Sequence, residues 1–236
     1  MDVHLADAIA QRLTDVRRRL AEAAVRAGRQ PSDVRLLAVS KTFSLEHVRA
    51  AAAAGQEDFG ENRVQEALQK IDGTADLRIR WHLIGSLQSN KVRKAAPRFS
   101  AIHSVDSLKL LQAIDQAAAE AGTAPELLVQ VDLAGEVTKH GAPPEEAAAI
   151  VRAGTRCRAA RLAGLMTIPP YFDDPEKTRP FFARLRDLRA TLLHEGLPPE
   201  SLRDLSMGMS HDFEIAVQEG ATIVRLGTAI FGKRHV

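Results

Sequence analysis

Lys41 ends the run Leu36-Leu37-Ala38-Val39-Ser40-Lys41-Thr42, four apolar residues and a serine followed by an amine. Such a run reads as a strand buried on both faces with a polar tip. Partial desolvation of an ammonium at that tip lowers its pKa and favours the neutral amine that attacks carbonyls. A lone lysine at a strand end is more often a solvated cap, so the weight falls on its surroundings. Ser206-Met207-Gly208-Met209-Ser210 leads from a short apolar run into a helical pattern; Gly208 permits a tight turn and Ser210 offers a hydroxyl beside unpaired backbone N–H groups. Leu226-Gly227-Thr228-Ala229-Ile230-Phe231-Gly232 repeats the theme, with Gly227 allowing close backbone approach and Thr228 adding a hydroxyl. Turn glycines with helix caps are common. Two in successive loops, together with a strand-end lysine, describe a pocket for a phosphorylated aldehyde. Arg225 interrupts an apolar strand and, if buried, needs a partner. A ligand's ring nitrogen is one candidate and a carboxylate such as Glu61 the other; taken alone, the residues favour the carboxylate.

These groups need a scaffold that brings strand ends together. Leu5, Ile9, Leu13, Val16 and Leu20 recur at spacings of three and four, which predicts an amphipathic helix over 2–28, closed by Gly28. Arg12, Arg17, Arg18 and Arg19 form its solvated face. Beyond Pro31, strand and helix signals alternate. Strands are expected at 36–42, 58–62, 80–85, 101–104, 126–133, 162–167, 204–207 and 222–226. Helices are expected at 45–54, 64–71, 89–95, 107–121, 144–155, 175–194 and 211–219. Eight such units in a chain near the ~250 residues usual for the fold predict one (β/α)₈ TIM barrel with an extra N-terminal helix. An open doubly wound sheet is the alternative, but it seldom uses eight strands in so short a chain. No linker or repeat divides the chain, so 1–236 is expected to be a single domain.

Composition excludes several classes. The 236 residues carry 32 Lys and Arg against 30 Asp and Glu, a net charge of +2, which argues against nucleic acid as a partner. Cys157 is the only cysteine, so no internal disulfide can form and a reducing, cytoplasmic location is expected. Neither a membrane-spanning run nor a signal peptide is present, so no membrane partner is expected. The eight histidines show no H-E-x-x-H pairing, and no metal is expected.

Six motifs carry a resemblance: Ala38-Val39-Ser40-Lys41; Phe59-Gly60-Glu61-Asn62-Arg63-Val64-Gln65-Glu66; the segment from Trp81 to Lys91; Gly164-Leu165-Met166; Leu205 to Ser210; and Val224 to Gly232. In this order they resemble the pyridoxal 5′-phosphate homeostasis proteins, the YggS/PROSC family, over nearly the whole chain. Leu83 stands where that family usually has an aromatic or Met. The resemblance implies a fold like the N-terminal domain of alanine racemase, with pyridoxal 5′-phosphate (PLP) as a Schiff base on Lys41. It also implies that Ser210, Gly227 and Thr228 hold the phosphate, that Arg225 faces the pyridine nitrogen, and that Asn62 and His82 line the pocket near the ring. Arginine cannot give up its proton, so such a pairing leaves the ring nitrogen unprotonated and the ring a weak electron sink.

The resemblance therefore implies a carrier that buffers PLP for vitamin B6 homeostasis and passes it to apo-enzymes, without turnover of its own and as a monomer. A PLP-dependent racemase is the main alternative. Proton transfer on two faces needs two positioned groups. The only tyrosine, Tyr171, follows Pro169-Pro170, and the chain stops four residues after Gly232, so the tyrosine-bearing β domain of a racemase is expected to be missing. A cofactor-free Schiff-base aldolase acting on a sugar phosphate is a third reading. Lys139, after the fifth strand, is a rival amine more simply read as solvated. Cys157, flanked by Arg156 and Arg158, is a candidate for a lowered thiol pKa, with an inert thiol the default.

Overall fold

Eight parallel strands close on themselves because the first, β1 (Arg35–Val39), pairs on one side with β2 (Asp58–Glu61) and on the other with β8 (Ile223–Leu226). The computed structural model describes residues 2–135 and 141–233. Between β2 and β8 lie β3 (Arg80–Leu83), β4 (Ala101–Val105), β5 (Glu126–Gln130), β6 (Arg161–Met166) and β7 (Asp204–Ser206), each bonded to the next. The expected barrel is the observed one. Alternation along the strands sorts side chains onto two surfaces. Leu37, Val39, Ile84, Leu128, Met166 and Ile223 form an apolar cluster inside the barrel. The intervening Ala38, Phe59, Leu83, Leu127, Leu165 and Val224 face outward into the core shared with the helices.

That outer layer comprises α1 (Val3–Arg26), α2 (Leu45–Ala53), α3 (Val64–Asp72), α4 (Val92–Ala95), α5 (Leu108–Ala121), α6 (Pro144–Gly154), α7 (Arg179–His194), α8 (Phe213–Gln218) and α9 (Thr228–Phe231). The N-terminal α1 is capped by the Asp2 side chain, which accepts the His4 N–H, and it packs against α2, α8 and α9. Ile9, Leu13, Val16 and Leu20 are buried as their spacing requires, each contributing about 1.5–3 kcal/mol. Among the described residues no helix is long and apolar enough to cross a membrane.

Departures from the sequence expectations have local causes. β5 stops at Gln130 rather than Leu133 because Asp132 Oδ1 accepts the N–H groups of Ala134 and Gly135 and turns the chain away. Ser89–Lys91 is a 3₁₀ turn that only then opens into α4. The helix expected from His211 starts at Phe213, because Asp212 Oδ1 reaches back to the Met209 N–H at 2.6 Å and holds residues 210–212 in a turn. The four-residue α9 has no counterpart in the sequence reading.

At Gly164 of β6 a Cβ would stand 1.9 Å from the backbone oxygen of Asp204 on β7. Gly164→Ala must push β6 and β7 apart. The expected cost is about 3 kcal/mol, at the upper end of ordinary overpacking. A urea titration checks it, and a midpoint equal to that of the unaltered protein would refute the close approach.

Candidate functional site

The carboxyl ends of the strands surround a cavity of about 230 Å³. Lys41, Asn62, Ser210, Arg225, Gly227 and Thr228 all line it, between apolar walls from Val39, Ile84, Ile168 and Met209. Ligand sites at this end are the rule for such barrels, because the βα loops there vary freely while the strands hold their bases.

Lys41 sits just past the end of β1 in a segment fixed from beneath. Ser40, fully buried, donates its hydroxyl to Glu61 Oε1 at 2.7 Å. Lys70, from α3, donates to the same oxygen at 2.6 Å, to the Ser40 carbonyl at 2.8 Å and to Glu66 Oε1 at 2.9 Å. Glu66 Oε1 in turn accepts the Thr42 N–H at 2.8 Å. Thr42 has φ of 70°, the only positive value at a non-glycine among the described residues. A β-branched residue pays for that conformation, so it persists only where neighbours over-determine it. Burial pushes the Glu61 carboxyl up, against the pull of Lys70 and the Ser40 hydroxyl. Burial also raises Glu66, but Lys70 and the Thr42 N–H outweigh it and leave that carboxyl below its ordinary range.

Arg225 is buried in the barrel interior, beside Leu37 of β1. Its Nη1 donates to Ser206 Oγ at 2.9 Å and its Nη2 to the Thr167 carbonyl at 3.0 Å. Those bonds account for two of the five N–H donors a guanidinium carries. Among the described residues no carboxylate is in ion-pair contact with Arg225; Glu61, the carboxylate candidate, points to the other side of the sheet and pairs with Lys70. Burial lowers the guanidinium to about 10, with Asp212 opposing, so it stays charged at neutral pH.

The two glycine loops meet through Ser210, whose Oγ accepts from the N–H groups of Gly227 and Ala229 at 3.3 Å each. Gly208, with φ of +93°, makes the turn possible, and a Cβ there would lie 2.6 Å from that of Ala216. Gly227 has an ordinary negative φ; its role is close packing, since a Cβ would stand 3.3 Å from the Val39 carbonyl. Asn62 Oδ1 is buried with no hydrogen-bond partner.

His82 does not line this cavity. Its ring is buried below, with Nε2 3.0 Å from Asp58 Oδ1 and Nδ1 3.0 Å from His103 Nε2. Sequence reasoning also missed His103, Ser206 and Thr167, although a polar residue at the centre of Ala101-Ile102-His103-Ser104 was a visible signal. The arginines beside Cys157 do not lower its thiol; burial, then Asp115, pushes it up to about 11. Tyr171 is 74% exposed and stacks on His211 at the cavity rim. Lys139 lies outside the described residues.

Residues 8–235 match the family described as alanine racemase, N-terminal domain. The pyridoxal phosphate homeostasis protein of Pseudomonas aeruginosa is 47% identical over 227 residues, covering 96% of each chain. Its counterpart in Aquifex aeolicus is 43% identical over 224 residues, covering 95% of this chain and 97% of that one. PipY of Synechococcus elongatus, solved with PLP bound, superposes with a TM-score of 0.83 at 42% identity, covering 95% of this chain and all of that one. An alanine racemase of Clostridium difficile shares the fold at 16% identity and a TM-score of 0.76, over 98% of this chain and 58% of that one. The chain belongs to the alanine racemase N-terminal domain family and, within it, to the pyridoxal phosphate homeostasis proteins.

Proposed function

We propose that this protein binds PLP in the cavity at the carboxyl ends of its strands, through Lys41, and carries it for vitamin B6 homeostasis without turning over amino acids. The observation that carries the reading is Arg225, a buried cation on the same cavity as Lys41 with no carboxylate in ion-pair contact among the described residues. The lining fits the cofactor. Ser210 with the neighbouring N–H groups and the Thr228 hydroxyl suits a phosphate. Asn62 Oδ1 is an acceptor awaiting a donor, and the guanidinium suits an unprotonated ring nitrogen. When bound, the cofactor supplies an aldehyde carbonyl that condenses with an amine. The protein's part is to hold Lys41 Nζ at the mouth of a closed barrel, with the Ser40–Glu61–Lys70 cluster fixing the backbone beneath it.

An arginine at the ring nitrogen withholds the proton that would make the ring a strong electron sink, which supports a carrier over a catalyst. Two-face proton transfer also needs a second placed group. Tyr171 is not on the cavity, and His211 at the rim has its Nε2 within 3.1 and 3.2 Å of the Phe172 and Asp173 carbonyls. The reading extends to one domain over 1–236, a cytoplasmic monomer and delivery to PLP-dependent apo-enzymes.

The purified protein is expected to absorb near the visible edge, and borohydride followed by peptide mapping is expected to leave the cofactor on the Lys41 peptide. Lys41→Ala is expected to lose the Schiff-base band and the borohydride-fixed label while retaining weaker binding through the phosphate contacts. A colourless protein that cleaves a sugar phosphate would instead favour the aldolase. Incubation with L-alanine is expected to give no sustained D-alanine; steady production of it would overturn the carrier reading in favour of a racemase.

A further inference from the structure

Beneath the cofactor cavity the barrel interior holds polar side chains that the reading above does not use. Asp58, His82, His103, Ser206 and Arg225 are all buried, and each is bonded to the next. Asp58 Oδ1 lies 3.0 Å from His82 Nε2, His82 Nδ1 3.0 Å from His103 Nε2, and His103 Nδ1 2.9 Å from Ser206 Oγ. Arg225 Nη1 closes the column on Ser206 at 2.9 Å. The column starts at the first residue of β2, passes through β3 and β4, crosses the barrel to β7 and ends in β8, on the cavity wall.

Its ends fix where the hydrogens go. Asp58 also receives Arg80 Nε and Nη2, both at 2.7 Å, and those two bonds with the His82 contact hold its carboxyl well below its usual range against burial. A charged carboxylate only accepts, so His82 Nε2 carries hydrogen. A singly protonated His82, with that hydrogen committed to Asp58, accepts at Nδ1, and His103 donates from Nε2. Burial, with the Arg225 charge beyond it, keeps His103 neutral, so its Nδ1 accepts in turn and the hydrogen between it and Ser206 belongs to the hydroxyl. Ser206 is left with only lone pairs to offer Arg225.

We propose that the column is a one-way donor chain from Arg225 through Ser206, His103 and His82 to Asp58, and that His103 is a positioning residue. By committing the Ser206 hydrogen, His103 makes Ser206 an obligate acceptor. One edge of the guanidinium is thereby pinned, and its remaining N–H groups are turned to the cofactor's ring. This rests on the placement of Arg225 beside that ring, but the hydrogen arrangement belongs to the cofactor-free protein and is measurable there.

Histidine-¹⁵N NMR of the cofactor-free protein is expected to show both His82 and His103 protonated at Nε2 and bare at Nδ1; a protonated Nδ1 on either ring overturns the proposal. With PLP bound, Ser206→Ala and His103→Phe are expected to move the absorption maximum and weaken binding about tenfold, the scale of one lost bond to a charged group. A merely structural role would lower stability and leave the absorption maximum in place. Arg225→Lys serves as the reference. If it shifts the spectrum and folded Ser206→Ala does not, the column fails and the site reading stands. If Arg225→Lys leaves the spectrum unchanged, the placement of Arg225 fails and this inference with it. Should His103→Phe not fold, the NMR pattern and Ser206→Ala decide the matter.

Discussion

A guanidinium buried inside a barrel, with no carboxylate among the described residues in ion-pair contact, is the constraint from which most of this structure can be understood. Burying an unpaired charge costs several kcal/mol, and the usual remedy is an opposite charge. Arg225 is met instead by a hydroxyl and a carbonyl, which satisfy hydrogen bonds but leave the charge in place. That charge is open to the cavity shared with Lys41. A carboxylate beside Arg225 would have removed both the cost and the use. The cavity thus combines a cation that stays charged at neutral pH with a primary amine, the pair needed to hold an electron-poor aldehyde ring at two points.

Lys41 shows the same economy by another route. Its segment leaves β1 through Thr42 in a conformation glycine would accept at no cost, yet the residue is a threonine. The strain is balanced by a cluster in which Lys70 touches the Ser40 carbonyl and two carboxylates, one of which fixes the Thr42 N–H. The cluster lies on the outer surface of the barrel while the cofactor cavity lies on the inner one. The backbone under Lys41 is therefore gripped from a side the ligand does not occupy, which leaves the cavity face free for binding.

How much of this the sequence disclosed follows from what each feature depends on. The barrel and the convergence of Lys41 with the two glycine loops were legible because they rest on strand alternation and on where strands end, both local properties. The partner of Arg225 was not, since Glu61 is close in sequence logic but sits on the opposite parity of β2: Gly60 faces Leu37 and Ile84 inside, so Glu61 faces out. His82 was assigned to the cavity by resemblance, but it stands one layer deeper, where Asp58 at the first position of its strand can reach it. Ser210 reads in sequence as a hydroxyl beside the unpaired N–H groups of its own helix, and its Oγ instead receives N–H groups from the following loop, because Asp212 takes over the turn. For Glu61 and His82 the missing information is how neighbouring strands are set against one another, and for Ser210 it is how two loops meet, neither of which a single segment encodes.

The polar layer beneath the cavity stands out against the apolar cluster of Leu37, Val39, Ile84, Leu128, Met166 and Ile223, since such interiors are normally filled by branched apolar side chains. A network of this kind is stable only when complete. Each internal bond contributes about 0.5–1.5 kcal/mol net, whereas one orphaned buried group costs about 1–3 kcal/mol. Two adjacent members cannot be removed independently, because the loss of either leaves the other unsatisfied. An apolar replacement of the whole layer would keep the barrel closed but would leave Arg225 with only the Thr167 carbonyl. The layer is therefore better understood as a mounting for one cation than as a contribution to stability, and its length is set by the distance from that cation to the Asp58–Arg80 pair at the start of β2 and β3, where an acceptor can be charged without competing for the ligand.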